Sequence, residues 1–401
     1  MGRLLFLAHR VPYPPNKGDK ISTYNMLRYF SERHDVFFGA FVDSEGDWQH
    51  VNRVRALCRG AHFAKLNPRS KRLVSLRGLL TGEPLTLPYY RDADLKRWVD
   101  DVLRIDPPDA ILIYSAALAQ FVTGKVPEGT RVMFDIEDVD SEKWRDYATR
   151  NKWPMSWIYA REARRLLAYE KRWAAEFDVT VLVSREEAAL FRRLAPEAAD
   201  KVVHRTQGVD SRFFDPTLDF DNPYGANERV LVFVGAMDYW PNVDAVTWFA
   251  KEVFSEVRAR VPQAAFYIVG LNPSAAVRRL GQLPGITVTG EVPDVRPYVR
   301  HAAAACLPLR IARGIQNKAL EAMAMERPLL ASPAAMDGIE IVSGFEPIVA
   351  ESADDFAAAA AKLLSDPPGS QPTARHCVLQ RYDWDTNLSR LEKILFEGAT
   401  H

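Results

Sequence analysis

Short apolar runs separated by longer amphipathic stretches recur along the whole chain, and this alternation constrains the fold more than any other feature. A brief run of buried-type residues followed by a stretch of helical period marks a βαβ unit, whose parallel strands are covered on both faces by helices. In the first half, residues 4–8, 36–41, 110–114, 132–136 and 179–183 read as strands, with helical sequence at 21–33 and 157–176. The pattern breaks at 210–228, where Asp210 is followed by three more aspartates, two prolines and a glycine. Such a stretch reads as a linker. Strand runs then restart at 230–235, 265–270, 286–290, 303–307 and 328–331. The residues after 381 read as a capped amphipathic helix.

A chain of 401 residues exceeds what one hydrophobic core usually serves. The sequence therefore predicts an N-terminal domain over 1–209, a linker over 210–228, a C-terminal domain over 229–380 and a final helix over 381–401. Lys+Arg and Asp+Glu are balanced at 52 each, which gives no reason to expect a nucleic-acid partner. Attraction for phosphate must then be local. Cys58, Cys306 and Cys377 are far apart and fit neither a disulfide framework nor a zinc site. The opening run ends at His9-Arg10, and no later segment approaches the ~20 apolar residues of a membrane span. A cytoplasmic protein is expected, with peripheral contact at the inner face of the plasma membrane left open. The segment from Arg69 to Leu80 is both basic and apolar and could rest on anionic lipid, or could be a plain solvated helix.

Open parallel sheets bind ligands beyond the C-terminal ends of their strands. The most informative such junction follows Leu307, where a loop carries Arg310, Arg313 and Gly314 and a helix begins near Ile315. Gly314 would let the backbone approach a ligand, and the new helix would offer N–H groups to an anion. Arg310 and Lys318 could add positive charge there. Glu321, one turn beyond Lys318, could accept hydrogen bonds from sugar hydroxyls. The competing reading is a surface loop with a solvated Lys–Glu pair.

From Val230 onward the sequence resembles the donor domain of family 4 glycosyltransferases, in VLVFVGAMDYWPNVDAVTWF, PQAAFYIVG, GITVTGEVPDVRPYVRHA and PLRIARGIQNKALEAMAMERPLLAS. Upstream, Gly208-Val-Asp with Phe213 and Pro216 is similar to the hinge that joins the two domains of that family. The N-terminal half resembles a narrower branch, the sugar transferases associated with PEP-CTERM/exosortase systems and exopolysaccharide synthesis. That likeness rests on HRVPYPPNKGDK, from His9 to Lys20, and FDIEDVDSEKW, from Phe134 to Trp144.

The resemblance implies an α/β chain of GT-B fold: two Rossmann-like domains facing across a cleft, with the C-terminal helix crossing back to the N-terminal domain. It implies a retaining transfer from a nucleotide-diphosphate sugar to a glycan or lipid-linked acceptor, with neither cofactor nor metal. The family's ribose-binding glutamate falls on Glu321. Eight positions earlier, where the family has glutamate or glycine, this chain has Arg313. Gly235, at the end of the first donor-domain strand, is followed by Ala236-Met-Asp-Tyr-Trp, without the family's arginine and lysine for the diphosphate. Arg310 and Lys318 are expected to replace them, unless both are ordinary loop charges.

Where the family places a histidine before an aspartate, this chain has Glu137-Asp138. Together with Asp135 and Asp140 they could orient an acceptor hydroxyl or take its proton, or cap the following helix. His9, Arg10, Gly18, Asp19 and Lys20 are expected to border the cleft from the acceptor side, Asp19 standing where the family has a second glycine. Two rivals share the fold: a nucleotide-sugar epimerase or hydrolase, and a non-catalytic sugar-binding protein. A nicotinamide-linked dehydrogenase is disfavoured, since no Gly-x-Gly-x-x-Gly follows the first strand of either half.

Overall fold

A strand in the middle of a parallel sheet must be apolar on both faces, and β1 (Arg3–Ala8), RLLFLA, buries every residue from Leu4 to Ala8. It is flanked by β2 (Asp35–Val42) and β4 (Ala110–Tyr114), with β3 (Gly60–Lys65), β5 (Arg131–Glu137), β6 (Val179–Leu182) and β7 (Val202–His204) further out. The seven strands run in the order β3-β2-β1-β4-β5-β6-β7, all parallel. Leu4 is in register with Ala110 and Ala8 with Tyr114. Strand order reverses between β1 and β4, so the connections leaving these two diverge and open a crevice at their C-terminal ends.

The computed structural model describes residues 1–15, 18–206, 208–312 and 315–397. The chain divides into one unit of Met1–Thr206 with Asn387–His401, and a second of Gln207–Thr386. The second holds β8 (Arg229–Val234), β9 (Ala264–Val269), β10 (Ile286–Gly290), β11 (Ala304–Leu307), β12 (Leu329–Ala331) and β13 (Ile348–Val349). Their order is β10-β9-β8-β11-β12-β13, again parallel, and here the reversal lies between β8 and β11. Each unit thus has its own ligand-binding edge, fixed by topology before any side chain is considered.

Three strands have no counterpart in the sequence reading. β3 is an edge strand whose residues are mostly half-buried, and β7 and β13 span three and two residues, too short to show a run. The stretch 210–228, expected as a linker, lies inside the second unit, where Phe214 and Tyr224 join the core and the Tyr224 hydroxyl donates to the Tyr298 carbonyl at 2.5 Å. The C-terminal helix Trp384–Glu397 begins in the second unit and passes into the first at Asn387. There Glu392 accepts from Tyr29 (2.6 Å) and His34 (2.7 Å), and Phe396 stacks on His34. Among the described residues no helix is long and apolar enough to cross a membrane.

Helix Met155–Glu176 packs on helix Asp140–Arg150 and buries Glu170 completely. Burial pushes the Glu170 carboxyl up to about 8, against bonds from the Ser141 hydroxyl (2.7 Å) and amide (3.3 Å). A carboxyl raised on folding stabilises the fold fully below its unfolded value, and loses that contribution as pH rises through its folded value. Thermal melts should therefore show stability falling between about 4.5 and about 8 from this group. Glu170→Gln, neutral throughout, is expected to flatten that slope, and a slope unchanged in the variant would assign it to other groups.

Candidate functional site

In the second unit the crevice edge is built from the ends of β8 and β11. The backbone packs tightly there: Gly270, after β9, has φ +148°, and a Cβ on it would fall 1.7 Å from the Gly235 carbonyl oxygen. Gly270 therefore requires glycine, while a Cβ on Gly235 itself would meet Asn242 Nδ2 at 2.8 Å and would have to displace that amide. Asn242 is buried and donates to the Ala236 carbonyl at 2.9 Å, closing the turn that carries no cation.

Across the reversal, the loop after β11 leads to helix Asn317–Ala324, which starts two residues later than Ile315. Ile315 is half-buried and packs against the second core. Gly314 and Arg313 lie outside the described residues. Gln316, the N-cap, gives no side-chain cap, and the Ala319 amide donates to its carbonyl at 2.9 Å. Lys318 and Glu321 sit one turn apart on this helix, both half-buried. The Lys318 ammonium lies 3.2 Å from Gln316 Oε1 and 5.8 Å from the centre of the Phe233 ring. Burial pushes Lys318 down to about 8, against the Glu321 charge, and pushes Glu321 up to about 7, against the Lys318 charge. Among the described residues the Glu321 carboxylate accepts no hydrogen bond and forms no ion pair. A poised, incompletely satisfied pair at a strand end is a functional arrangement more than a stabilising one.

Arg310 departs from expectation. Its guanidinium forks onto Asp244, Nε to Oδ2 at 3.0 Å and an Nη to Oδ1 at 2.5 Å. The pair is exposed on the arginine side and lines an open hollow of about 610 Å³ with Trp240, Thr247 and Trp248. Arg310 is therefore already paired with a carboxylate 66 residues upstream, while among the described residues Lys318 forms no ion pair and faces only the Glu321 charge one turn on.

In the first unit the edge gathers His9 after β1, Tyr114 at the end of β4 and Glu137 at the end of β5. The His9 ring stacks on Tyr114 with centroids 5.8 Å apart, and its Nε2 lies 3.1 Å from Asp19 Oδ2. Arg10 bridges Asp19 (2.8 Å) and Asp43 (3.0 Å), while Lys20 is buried against Asp47 at 2.8 Å. Burial opposes the Asp19 charge, but the His9 hydrogen bond and Arg10 hold its carboxyl well below the usual range. His9, Arg10, Asp19 and Lys20, expected to border the acceptor side, are joined to one another and to Asp43 and Asp47 by these contacts. Gly18 opens helix Gly18–Ser31, and among the described residues no atom lies within 4 Å of where a Cβ would stand.

The acidic cluster divides in two. Asp138 and Asp140 both hold Lys143, at 2.8 and 3.0 Å. The N-cap position of helix Asp140–Arg150 is Val139, which gives no side-chain cap and whose amide donates to Glu187 at 2.8 Å. Asp135 is fully buried and accepts from Arg205 Nε at 2.8 Å and from the Glu137 amide at 3.0 Å. Glu137 itself has φ +63°, a left-handed conformation that costs a side-chain-bearing residue ~1–2 kcal/mol. Ser115, one step past β4, has φ +93°, so strain sits on two adjoining strand ends. Burial pushes the Glu137 carboxyl up, Arg205 opposing and Asp135 and Asp138 reinforcing.

Arg205 was not foreseen as a site residue. It follows β7, is 4% exposed, stands 5.8 Å from the Tyr114 ring, and among the described residues leaves both terminal nitrogens buried without a hydrogen-bond partner. The only sequence signal was an arginine closing a short apolar run. Among the described residues no group of three or more His, Cys, Asp or Glu is arranged to hold a metal ion.

Comparison with solved structures identifies the fold. The chain aligns with HepE of Anabaena, solved with UDP and glucose, at TM-score 0.65 and 14% identity, covering 98% of this chain and 99% of that one. Sucrose-phosphate synthase of Thermosynechococcus elongatus aligns at TM-score 0.66 and 15% identity over 100% of both chains. A glycosyltransferase of Rickettsia africae aligns at 0.67 and 14% identity, over 100% of this chain and 99% of that one. The fold is GT-B. Residues 228–366, within the second unit, match the model of the family described as Glycosyl transferases group 1. No curated protein sequence matches the chain. In the GT-B frame, Lys318 and Glu321 lie inside the matched segment, and the Glu137–Arg205 cluster lies outside it.

Proposed function

We propose that this chain is a glycosyltransferase that moves a hexosyl group from a nucleotide-diphosphate donor to a hydroxyl of a glycan or lipid-linked acceptor. The observation that carries the reading is the half-buried Lys318–Glu321 pair at the β11 edge, inside the segment matching the group 1 glycosyl transferases. HepE of Anabaena was solved with UDP-glucose as well as with UDP, which supports a nucleotide sugar as the donor class. The family 4 likeness supports retention at the anomeric carbon, and the likeness of the N-terminal half supports a role in exopolysaccharide synthesis, at the cytoplasmic face of a membrane.

In this reading Lys318 and the first-turn amides of helix Asn317–Ala324 receive the diphosphate, Glu321 accepts from the ribose hydroxyls, and the glycine-lined edge at Gly235 admits the nucleotide closely. For retention the bond from the anomeric carbon to the diphosphate oxygen breaks first, the nucleoside diphosphate leaving with the electron pair, and the acceptor oxygen bonds to that carbon on the same face. The hydroxyl proton passes to Glu137, made more basic by its burial.

Thermal shift against UDP-, GDP-, ADP- and TDP-sugars tests the donor site. Lys318→Ala and Glu321→Ala should each weaken donor binding roughly 10- to 100-fold, the worth of a charge-assisted hydrogen bond, with the unliganded melt retained. Lys318 is a cation below about 8 and Glu321 a full acceptor above about 7, so affinity should peak between those values and fall on either side. Unchanged affinity in both variants would remove the site from this junction. A donor consumed with no acceptor extended would point to an epimerase or hydrolase on the same fold.

A further inference from the structure

Soluble proteins seldom leave large apolar side chains exposed next to one another, and a patch that also carries charge of one sign has a recognisable class of partner. In the first unit, helix Pro68–Ser75 buries none of its residues. Along it and the short helix Gly78–Thr81, Leu73 is 72% exposed, Leu76 47% and Leu80 91%. Arg69, Lys71, Arg72 and Arg77 lie among them, and no acid occurs between 67 and 82.

Helix Met155–Glu176 brings a second set to the same place. Arg161 donates to the Gly78 carbonyl at 2.5 Å and to the Glu83 carbonyl at 3.3 Å, which clamps the helix to the leucine segment. One turn before Arg161 stands Trp157, exposed along with Met155 and Trp153. One turn after it, the Arg165 guanidinium lies 4.0 Å from where a Cβ on Gly82 would be. Between 150 and 168 the charged residues are Arg150, Lys152, Arg161, Arg164, Arg165 and a single acid, Glu162. Glu162 is buried and turned inward, accepting from the Leu85 and Thr86 amides at 2.6 and 3.0 Å.

We infer that this face of the first unit, centred on Leu73, Leu80 and Trp157, docks onto an anionic lipid bilayer. Charge complementarity selects that occupant. The chain as a whole carries balanced charge, so a face with exposed cations and no exposed acid is a local segregation, not the echo of a basic protein. A second copy seated symmetrically on the same face would set arginine against arginine. Leucines that can enter the acyl boundary, a tryptophan suited to headgroup depth and arginines for lipid phosphates are together the composition of an interfacial surface. The inference goes beyond the sugar-transfer reading and does not depend on it, since docking needs only the chemistry of this face.

Co-sedimentation of the full chain with vesicles of phosphatidylcholine alone, and of phosphatidylcholine mixed with phosphatidylglycerol, tests it. The protein should pellet with the anionic vesicles only and be released by salt. Neutralising Arg69, Arg72 and Arg77 together to glutamine should lower partitioning about 100-fold, near fivefold per charge. Leu73→Ser with Leu80→Ser should lower it at least about tenfold. Leu283→Ser, a half-exposed leucine of the second unit, should change nothing. Donor thermal shifts on the same preparations report folding, and keep a failure here distinct from a failure of the donor site. Absence of pelleting, equal pelleting with neutral vesicles, full binding by the variants, or a dimer that the leucine substitutions dissociate would each overturn the inference.

Discussion

Glu137→Gln is expected to lower turnover by about 10²- to 10⁴-fold while donor affinity stays at the wild-type value. Glutamine keeps the shape and the strained backbone but cannot take a proton, so the loss should fall on kcat and leave donor KM alone. The informative companion is Glu137→Gly. At φ +63° glycine is relieved of the left-handed penalty, so this variant should melt at or above the wild-type temperature and still be inactive. A glutamate retained against its own backbone preference is what a functional residue looks like, and a structural one should lose stability when removed. Wild-type turnover in the glutamine variant would take the proton-accepting role away from this position.

The second large effect concerns stability. Asp135 and Arg205 form an ion pair with both side chains essentially out of solvent, 0% and 2% exposed. Burial pushes the aspartate up and Arg205 opposes it, while the arginine is held firmly charged by Asp135. Removing one partner leaves an uncompensated buried charge, and Asp135→Ala should cost ~3–5 kcal/mol, or roughly 6–20 °C in Tm. The double variant Asp135→Leu with Arg205→Met, which removes both charges, should recover most of that loss. If the double variant melts as low as the single one, the pair matters through packing and not through charge. The recovered double variant then serves a second purpose, because Glu137 would sit there without its arginine. A rise in the apparent pKa of its pH–rate profile is expected, since the opposing charge of Arg205 acts on Glu137 more strongly than the reinforcing charge of Asp135 that is lost with it.

The architecture was readable because parallel sheets impose a strong local pattern: a buried strand such as RLLFLA is apolar throughout, and its neighbours repeat the theme. What escaped was short or at an edge. β3, with His62 in its middle, is half-exposed, and β7 and β13 are too brief to register. The span 210–228 misled through its prolines and aspartates, although Phe214 and Tyr224 carried the core contacts. At the candidate site, Gly235, Lys318 and Glu321 could be singled out because strand end, glycine and helix start are all local signals. The roles of the charged residues could not, because each is decided by a partner distant in sequence. Arg310 is claimed by Asp244, and Arg205 reaches Asp135 across 70 residues. For His9, Arg10 and Asp19, close in sequence, the contacts with Asp43 and the Tyr114 ring could not be read from local spacing.

The last helix has a consequence for how the protein is made. Residues of the first unit are contributed by both ends of the chain, with Tyr29 and His34 awaiting Glu392 and Phe396. On the ribosome the opening sheet can assemble early, but it must wait through synthesis of the whole second unit before this seam closes. Until then the nascent chain carries an unfinished apolar margin around Gly2 and His34, which makes trimming or tagging after Trp384 a matter of folding yield as much as of convenience.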